Sequence, residues 1–404
     1  MEKICSENFT NLTYEVFVEN LFKSSSAEVE MKAHTMIKLE RILRPALKFL
    51  SSEKRVEIYS QGRKRVLEAL SDEVIERKFS PSRDFETELW GIKFRSPIMN
   101  AAGMFKNGEC YELMAKQGAG AYLGGTTTAL KNSGNTNGNI VNPFITLPKS
   151  NSAINWLGLP NNGDEFVLYE AKQISKMKRS LKCPVGWSLA YQSNFGFNPE
   201  KQMEMLVRSI KDYSNVGVDF LEINESCPNT GENNINVLSL GTRLLKLKQQ
   251  IPTKKVPIIV KFSNDIDLSQ VGGLMELLID SKYDGVNFGN TSTNYELHRN
   301  SIDEIERKDF DYFTSTLGGG ISGKPLKEKS LELCTEAVKQ VRRLNPNFEF
   351  NVIRTGGIDS AEDILDSKKS GILMNQWFTG YWENFGKSGH DVYKELYGNL
   401  ERLA

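Results

Sequence analysis

Eight short apolar segments, separated by helical ones between Pro97 and Phe378, predict an α/β chain closed as a parallel (β/α)8 barrel of the TIM type. A second observation agrees. Several of those segments end in asparagine, lysine, threonine or paired glycine, and barrel strands carry their chemistry at such ends. A third is the N-terminal stretch, which has helical periodicity and no strand signal. An open, doubly wound sheet is the weaker alternative, because no glycine fingerprint follows the first strand. The expected layout is a helical extension over residues 1–77 and a barrel over 78–404.

In the extension, Tyr14, Phe17, Val18, Leu21 and Phe22 recur at helical spacing. Met36, Leu39, Leu43, Leu47 and Leu50 do so again, with Pro45 bending or starting a helix. Ser52 is placed to cap a third helix, whose apolar side holds Val56, Tyr59, Val66, Leu67 and Leu70. Periodicity alone favours a packing appendage over a membrane or partner surface.

The expected strands are Pro97–Asn100, Ala121–Gly124, Val185–Leu189, Val218–Asn224, Val256–Phe262, Gly285–Asn290, Phe348–Arg354 and Ile372–Phe378. Helices are expected at Pro199–Asn215, Leu326–Leu344, Ser360–Ser370 and Phe385–Arg402.

Composition excludes several classes of function. The 404 residues carry 51 basic and 51 acidic side chains, so no global charge draws the chain to nucleic acid. No stretch approaches the roughly 18 apolar residues that read as a membrane span. Polar and acidic residues near the N-terminus argue against a signal peptide. The expected location is therefore the cytoplasm or a membrane surface. Five cysteines, an odd number without a Cys-x-x-Cys, argue for a reducing compartment and against disulfides or zinc. His34, His298 and His390 lie outside every motif, which argues against a histidine triad or metal centre.

The richest motif is Leu221 to Thr230. An apolar strand runs into Asn224, Ser226, Cys227 and Asn229, and Pro228 stops it. The same residue types also make ordinary turns. After the first strand, Ala102 and Gly103 would let a flat ring approach the backbone, and Lys106 adds a cation or is a surface lysine. Thr126 sits in a glycine- and hydroxyl-rich run after the second strand. Asn155 is a candidate ligand in a long loop, where Asn161 and Gly163 serve equally well as turn formers.

Lys261 ends an apolar strand and needs an anionic partner or an exit to water. Asn290, Thr291 and Ser292 end the next strand. Gly356–Gly357 and Thr379–Gly380 follow the seventh and eighth strands, where barrels often hold phosphate on backbone N–H groups.

Taken in order, these segments resemble the dihydroorotate dehydrogenase family, FMN enzymes of pyrimidine synthesis. The resemblance runs from about Pro97 to Phe385 and includes Gly319-Gly320-Ile321-Ser322-Gly323-Lys324-Pro325-Leu326. It implies FMN against Ala102, Gly103 and Thr126, Lys261 at the flavin edge, and the phosphate near Gly323, Gly356, Gly357, Thr379 and Gly380. It implies that dihydroorotate, and orotate after oxidation, would contact Lys106, Asn155, Asn224, Asn229, Asn290 and Thr291 or Ser292. Asparagine amides suit the ring's amide edges, and a lysine suits its carboxylate. Lys261 would balance the negative charge of a reduced flavin. Cys227 is implied as the catalytic base that removes the C5 proton while a hydride passes from C6 to the flavin.

The pattern mixes two classes. The Lys106 loop, the Gly319–Leu326 segment and the helical N-terminus with Arg44-Pro45 resemble the quinone-dependent class, which implies a quinone acceptor. Cys227 resembles the soluble class and leaves fumarate as the alternative. Phe17, Leu21, Phe22, Leu43, Leu47 and Leu50 would then line a greasy entrance that touches the membrane peripherally. Phe105, Ser188, Glu225 and the Gly231–Asn236 loop depart from the quinone-class pattern. The rival readings are a flavin oxidoreductase of another pyrimidine-like ring and a degenerate barrel kept as a binding module.

Overall fold

The computed structural model describes residues 31–76, 78–225, 237–251 and 256–403. The predicted helix around Tyr14–Phe22 and the motif residues Ser226, Cys227, Pro228 and Asn229 lie outside the described residues.

Each of the eight expected strands forms one barrel strand. They are β1 (Ile98–Asn100), β2 (Tyr122–Thr127), β3 (Val185–Leu189), β4 (Phe220–Asn224), β5 (Ile258–Ser263), β6 (Gly285–Asn290), β7 (Asn351–Thr355) and β8 (Met374–Trp377). The ladder runs β1-β8-β7-β6-β5-β4-β3-β2, and every pair in it is parallel. A side chain bridges the seam between β1 and β2. Asn100 Nδ2 donates to Leu123 O at 2.7 Å, and its Oδ1 accepts from Leu123 N at 3.1 Å. One amide side chain thus supplies a donor and an acceptor where the ladder has none.

Every residue of β3, β4 and β5 is buried, as expected for parallel strands covered on both faces. A hairpin of Thr87–Leu89 and Ile92–Phe94 closes the N-terminal end. Its Leu89 and Phe94 pack with Phe220, Ile259, Ile353 and Met374. That end is filled with apolar side chains, which leaves the C-terminal end for a ligand.

Helices α1 (Ala33–Leu47) and α2 (Ser52–Asp72) lie over the barrel. The N-cap of α2 is Ser51, not Ser52: the Ser51 side chain accepts from Lys54 N at 3.2 Å. Pro45 neither starts nor ends a helix. It sits in the last turn of α1. The Glu73 carboxylate ties three segments together, accepting from Ala33 N and from His390 Nε2, each at 2.6 Å. Arg55 of α2 pairs with Asp309 at 2.6 Å, both nearly buried.

The predicted helix Phe385–Arg402 is two helices, Thr379–Ser388 and Val392–Leu403, joined by a short turn. The break falls at Gly389, whose φ is +57°. His34 of α1 packs so closely there that a Cβ would lie 2.9 Å from its Nδ1. Periodicity continued through this point, but the tertiary contact required a turn.

Candidate active site

The C-terminal strand ends open into one cavity, about 1020 Å³ when counted out to solvent. Its wall contains Ala102 and Gly103 after β1, Thr126 on β2, Asn224 on β4, Lys261 on β5 and Asn290–Thr291 at the end of β6. Gly356–Gly357 follow β7 and Thr379–Gly380 follow β8. Lys106, Asn155 and Gly323 join from loops, the last two through an antiparallel sheet of Phe144–Leu147, Ser152–Asn155 and Gly320–Gly323.

Lys261 does not reach solvent; its side chain is 5 % exposed. Nζ donates to Gln376 Oε1 at 3.2 Å and faces Glu222 Oε1 at 3.5 Å. Glu222 is wholly buried on β4 and accepts from Asn287 Nδ2 at 2.9 Å and Gln376 Nε2 at 2.7 Å. Thr355 Oγ1 lies within 3.0 Å of both Asn287 Oδ1 and Gln376 Oε1. This network fixes the ammonium while its charge still lines the cavity. Glu222 is a residue of this network that sequence reasoning missed. Its signal was present: Glu222 and Asn224 are two apart on one strand and so share a face.

Elsewhere in the wall, Thr379 and Gly380 begin the helix Thr379–Ser388, whose first N–H groups lack intrahelical acceptors. A Cβ at Gly380 would sit 2.1 Å from Ile358 O, so only glycine admits that approach. The Ser322 and Thr379 hydroxyls are 2.9 Å apart. This wall presents backbone donors, hydroxyls and a helix N-terminus, the donor set a phosphate takes.

Between them, Asn290 Nδ2 donates to Asn224 Oδ1 at 2.9 Å, which orients both amides. Ser292 departs from expectation and lines no part of the cavity. Its backbone pairs on both sides with Ile321, and alternation along the chain turns its side chain away from Thr291's side. The Ser292 hydroxyl donates to Asp265 and lies 2.9 Å from His298 Nε2. His298 is therefore not remote from the motifs, as its position in the sequence implied. Burial lowers its pKa below the usual imidazole value.

Three departures from the quinone-class pattern acquire partners. Phe105 is buried and stacks on Tyr122 at 5.9 Å. The Ser188 hydroxyl lies 2.9 Å from Thr126 Oγ1. The Glu225 carboxylate accepts from Arg243 Nε at 3.0 Å.

A second chamber lies under the N-terminal helices. Ile37, Leu43, Leu47, Ile58, Val66, Leu67, Met104 and Trp382 supply its apolar lining. Leu43 and Leu47 are thus where the sequence placed them, whereas Leu50 packs on the cluster of Leu47 and Ile58 without lining the chamber. Arg63, Phe144, Phe378 and Thr379 border both spaces and separate them. Burial pushes the Arg63 guanidinium down to about 10.

The sequence model of dihydroorotate dehydrogenase matches residues 84–400. The chain belongs to the dihydroorotate dehydrogenase family. A dihydroorotate dehydrogenase (quinone) of Idiomarina loihiensis is 29 % identical over 302 residues, covering 72 % of this chain and 81 % of that protein. One from Vibrio vulnificus is 27 % identical over 375 residues, covering 89 % of this chain and all of the relative. A DHODH of Eimeria tenella, solved in complex with ferulenol, shares the fold with a TM-score of 0.68 at 19 % identity. That match covers 84 % of this chain and 90 % of that one. Members of the family are FMN flavoproteins, and this cavity fits that group. It combines a buried lysine, small residues beside open space at Gly103, and a helix N-terminus in its wall. Among the described residues no cluster of ligands could hold a metal ion.

Proposed function

We propose that this chain oxidises dihydroorotate to orotate through bound FMN and passes the electrons to a quinone. One observation supports the reading: an amide-rich polar cavity and an apolar chamber lie side by side and share Arg63, Phe144, Phe378 and Thr379 as lining. A polar ring and a greasy acceptor can therefore reach one flavin by separate routes.

When bound, FMN supplies a two-electron acceptor for the substrate hydride. Ala102, Gly103 and Thr126 support its ring, and Gly323, Gly356, Gly357, Thr379 and Gly380 hold its phosphate. Lys261, fixed by Glu222 and Gln376, offsets charge gained by the ring. Asn155, Asn224, Asn229, Asn290 and Thr291 bind the amide edges of the substrate, and Lys106 its carboxylate. Cys227 takes the C5 proton as general base.

Residues 1–77 form the acceptor's entrance and 78–404 the catalytic barrel. No helix among the described residues is long and apolar enough to cross a membrane. Ile42 and Phe49 are 73 % and 80 % exposed; Lys38 lies about one helical turn before Ile42, and Lys48 adjoins Phe49. That pattern suits peripheral contact with a lipid surface from the cytoplasmic side.

The test is spectroscopic. The purified protein should be yellow, bleach anaerobically with dihydroorotate, and regain colour with a short-chain quinone. Bleaching by dihydrouracil but not dihydroorotate would move the substrate to another pyrimidine-like ring. Recovery with fumarate but not quinone would overturn the acceptor.

A further inference from the structure

Behind the phosphate-type wall lies a buried cation that the reaction does not use. Arg354, next to last in β7, is 0 % exposed. Among the described residues no carboxylate forms an ion pair with it. Asp363 lies close enough for its backbone to accept from Arg354, but its carboxylate pairs with Lys327 at 2.5 Å. The guanidinium instead donates to Ser330 Oγ at 3.0 Å, Ser367 Oγ at 3.0 Å, Asp363 O at 3.3 Å and Lys327 O at 2.9 Å. A desolvated charge whose nearest carboxylates, Asp363 and Asp366, act on it only through space, with Asp363 already paired to Lys327, is costly, so the fold gains if an anion binds nearby.

Ser330 connects this cation to the cavity. Its oxygen accepts from Arg354 Nε, which leaves its proton to donate. The shorter of its two donor contacts, 2.7 Å, goes to Gly356 O; the other, to Lys327 O, is 3.0 Å. Gly356 C=O and Gly357 N–H belong to one planar trans peptide and point opposite ways. Holding the carbonyl towards Ser330 turns the Gly357 N–H away from it, and Gly356 and Gly357 both line the cavity.

We propose that Arg354, acting through Ser330, sets the Gly356–Gly357 peptide to bind a phosphate monoester and supplies the positive charge behind it. Arg354 is a positioning residue here, and its effect falls on the phosphate end of the flavin. The proposal rests on the reading of this cavity as the FMN site.

The experiment titrates the full-length apoprotein with FMN and with riboflavin, which lacks the phosphate, following quenching of flavin fluorescence. Loss of charge-assisted hydrogen bonding predicts that Arg354→Met weakens FMN about tenfold or more and leaves riboflavin within about twofold. Arg354→Lys should fall between wild type and Arg354→Met. Equal weakening of both flavins, or of neither, overturns the proposal. If Arg354→Met does not fold, Ser330→Ala decides the matter: it should weaken FMN a few-fold, roughly, and spare riboflavin. Parallel changes in that variant reject the relay. A wild-type chain that binds neither flavin overturns the FMN reading itself, and the proposal with it.

Discussion

The two spaces that meet at Arg63 are built differently. The polar cavity is made of strand ends and the loops beside them, so its residues come from short, contiguous motifs. The apolar chamber is made of faces of α1 and α2 set against Met104, Phe144 and Trp382. No single motif encodes it. Polar groups in the first space are fixed by one another, as Lys261 is by Glu222 and Gln376. In the second, most lining groups are methylenes and rings that pack together, with Arg44 and Tyr59 on Glu40 and Arg41 on Glu383 as its polar ties. On the proposed reading, chemistry sits on the barrel and acceptor entry on an element laid over it.

Deleting residues 1–77 tests that division most severely. Flavin reduction by dihydroorotate should survive, and reoxidation by a short-chain quinone should be lost. If a folded, truncated barrel turns over quinone as fast as the full chain, the chamber has no part in acceptor entry.

Cys227→Ala probes the polar cavity. Removing a general base typically slows its step by roughly 10²–10⁴-fold. Orotate binding and flavin content should persist, and Cys227→Ser should be intermediate. An unchanged rate in stopped-flow reduction would place the base elsewhere.

Lys261→Ala asks whether the floor is held by charge. It would leave Glu222 buried without its cation, at a cost of about 3–5 kcal/mol. Lower flavin content and an earlier urea midpoint are expected. The double variant Lys261→Met with Glu222→Leu should recover much of the stability but not the flavin-reduction rate. Recovery of both would mean that the lysine only serves packing.

The smallest effect belongs to the chamber. Burial raises the pKa of Glu383 above the usual carboxylate value, against the lowering by Arg41 and Arg44. The folded state then holds this proton more tightly than the unfolded chain. The group's contribution to stability is full at pH values below the ordinary glutamate pKa and is lost as pH rises through the raised one. Melting curves of Glu383→Gln should therefore gain on wild type as pH climbs from about 4.5 towards neutrality. A difference constant with pH would reject a titrating chamber wall.

Much of this was legible in the chain alone. Parallel barrel strands are buried on both faces, so they read as apolar runs, and all eight could be picked out. The residues that end them are the ones that face the cavity, which is why Asn224, Lys261 and Asn290 could be named beforehand. Ser292 shows the limit. Its residue type fits the motif, but a backbone pairing with Ile321, 29 positions away, decides which way it faces. Glu222 shows another. Its charge is intelligible only once Lys261 of β5, Asn287 of β6 and Gln376 of β8 stand around it.

Local sequence determined the elements, because helical and strand periodicity and turn chemistry act over a few residues. It also determined the set of groups offered at the barrel mouth, because the βα order places strand ends together. Only the tertiary structure decided the partners of the buried charges: Glu222 for Lys261, Asp309 for Arg55, and hydroxyls and carbonyls alone for Arg354. It alone decided the break at Gly389 and the chamber beneath α1 and α2. The reason is physical. A buried charge or a concave apolar surface is defined by what surrounds it, and those neighbours come from distant parts of the chain.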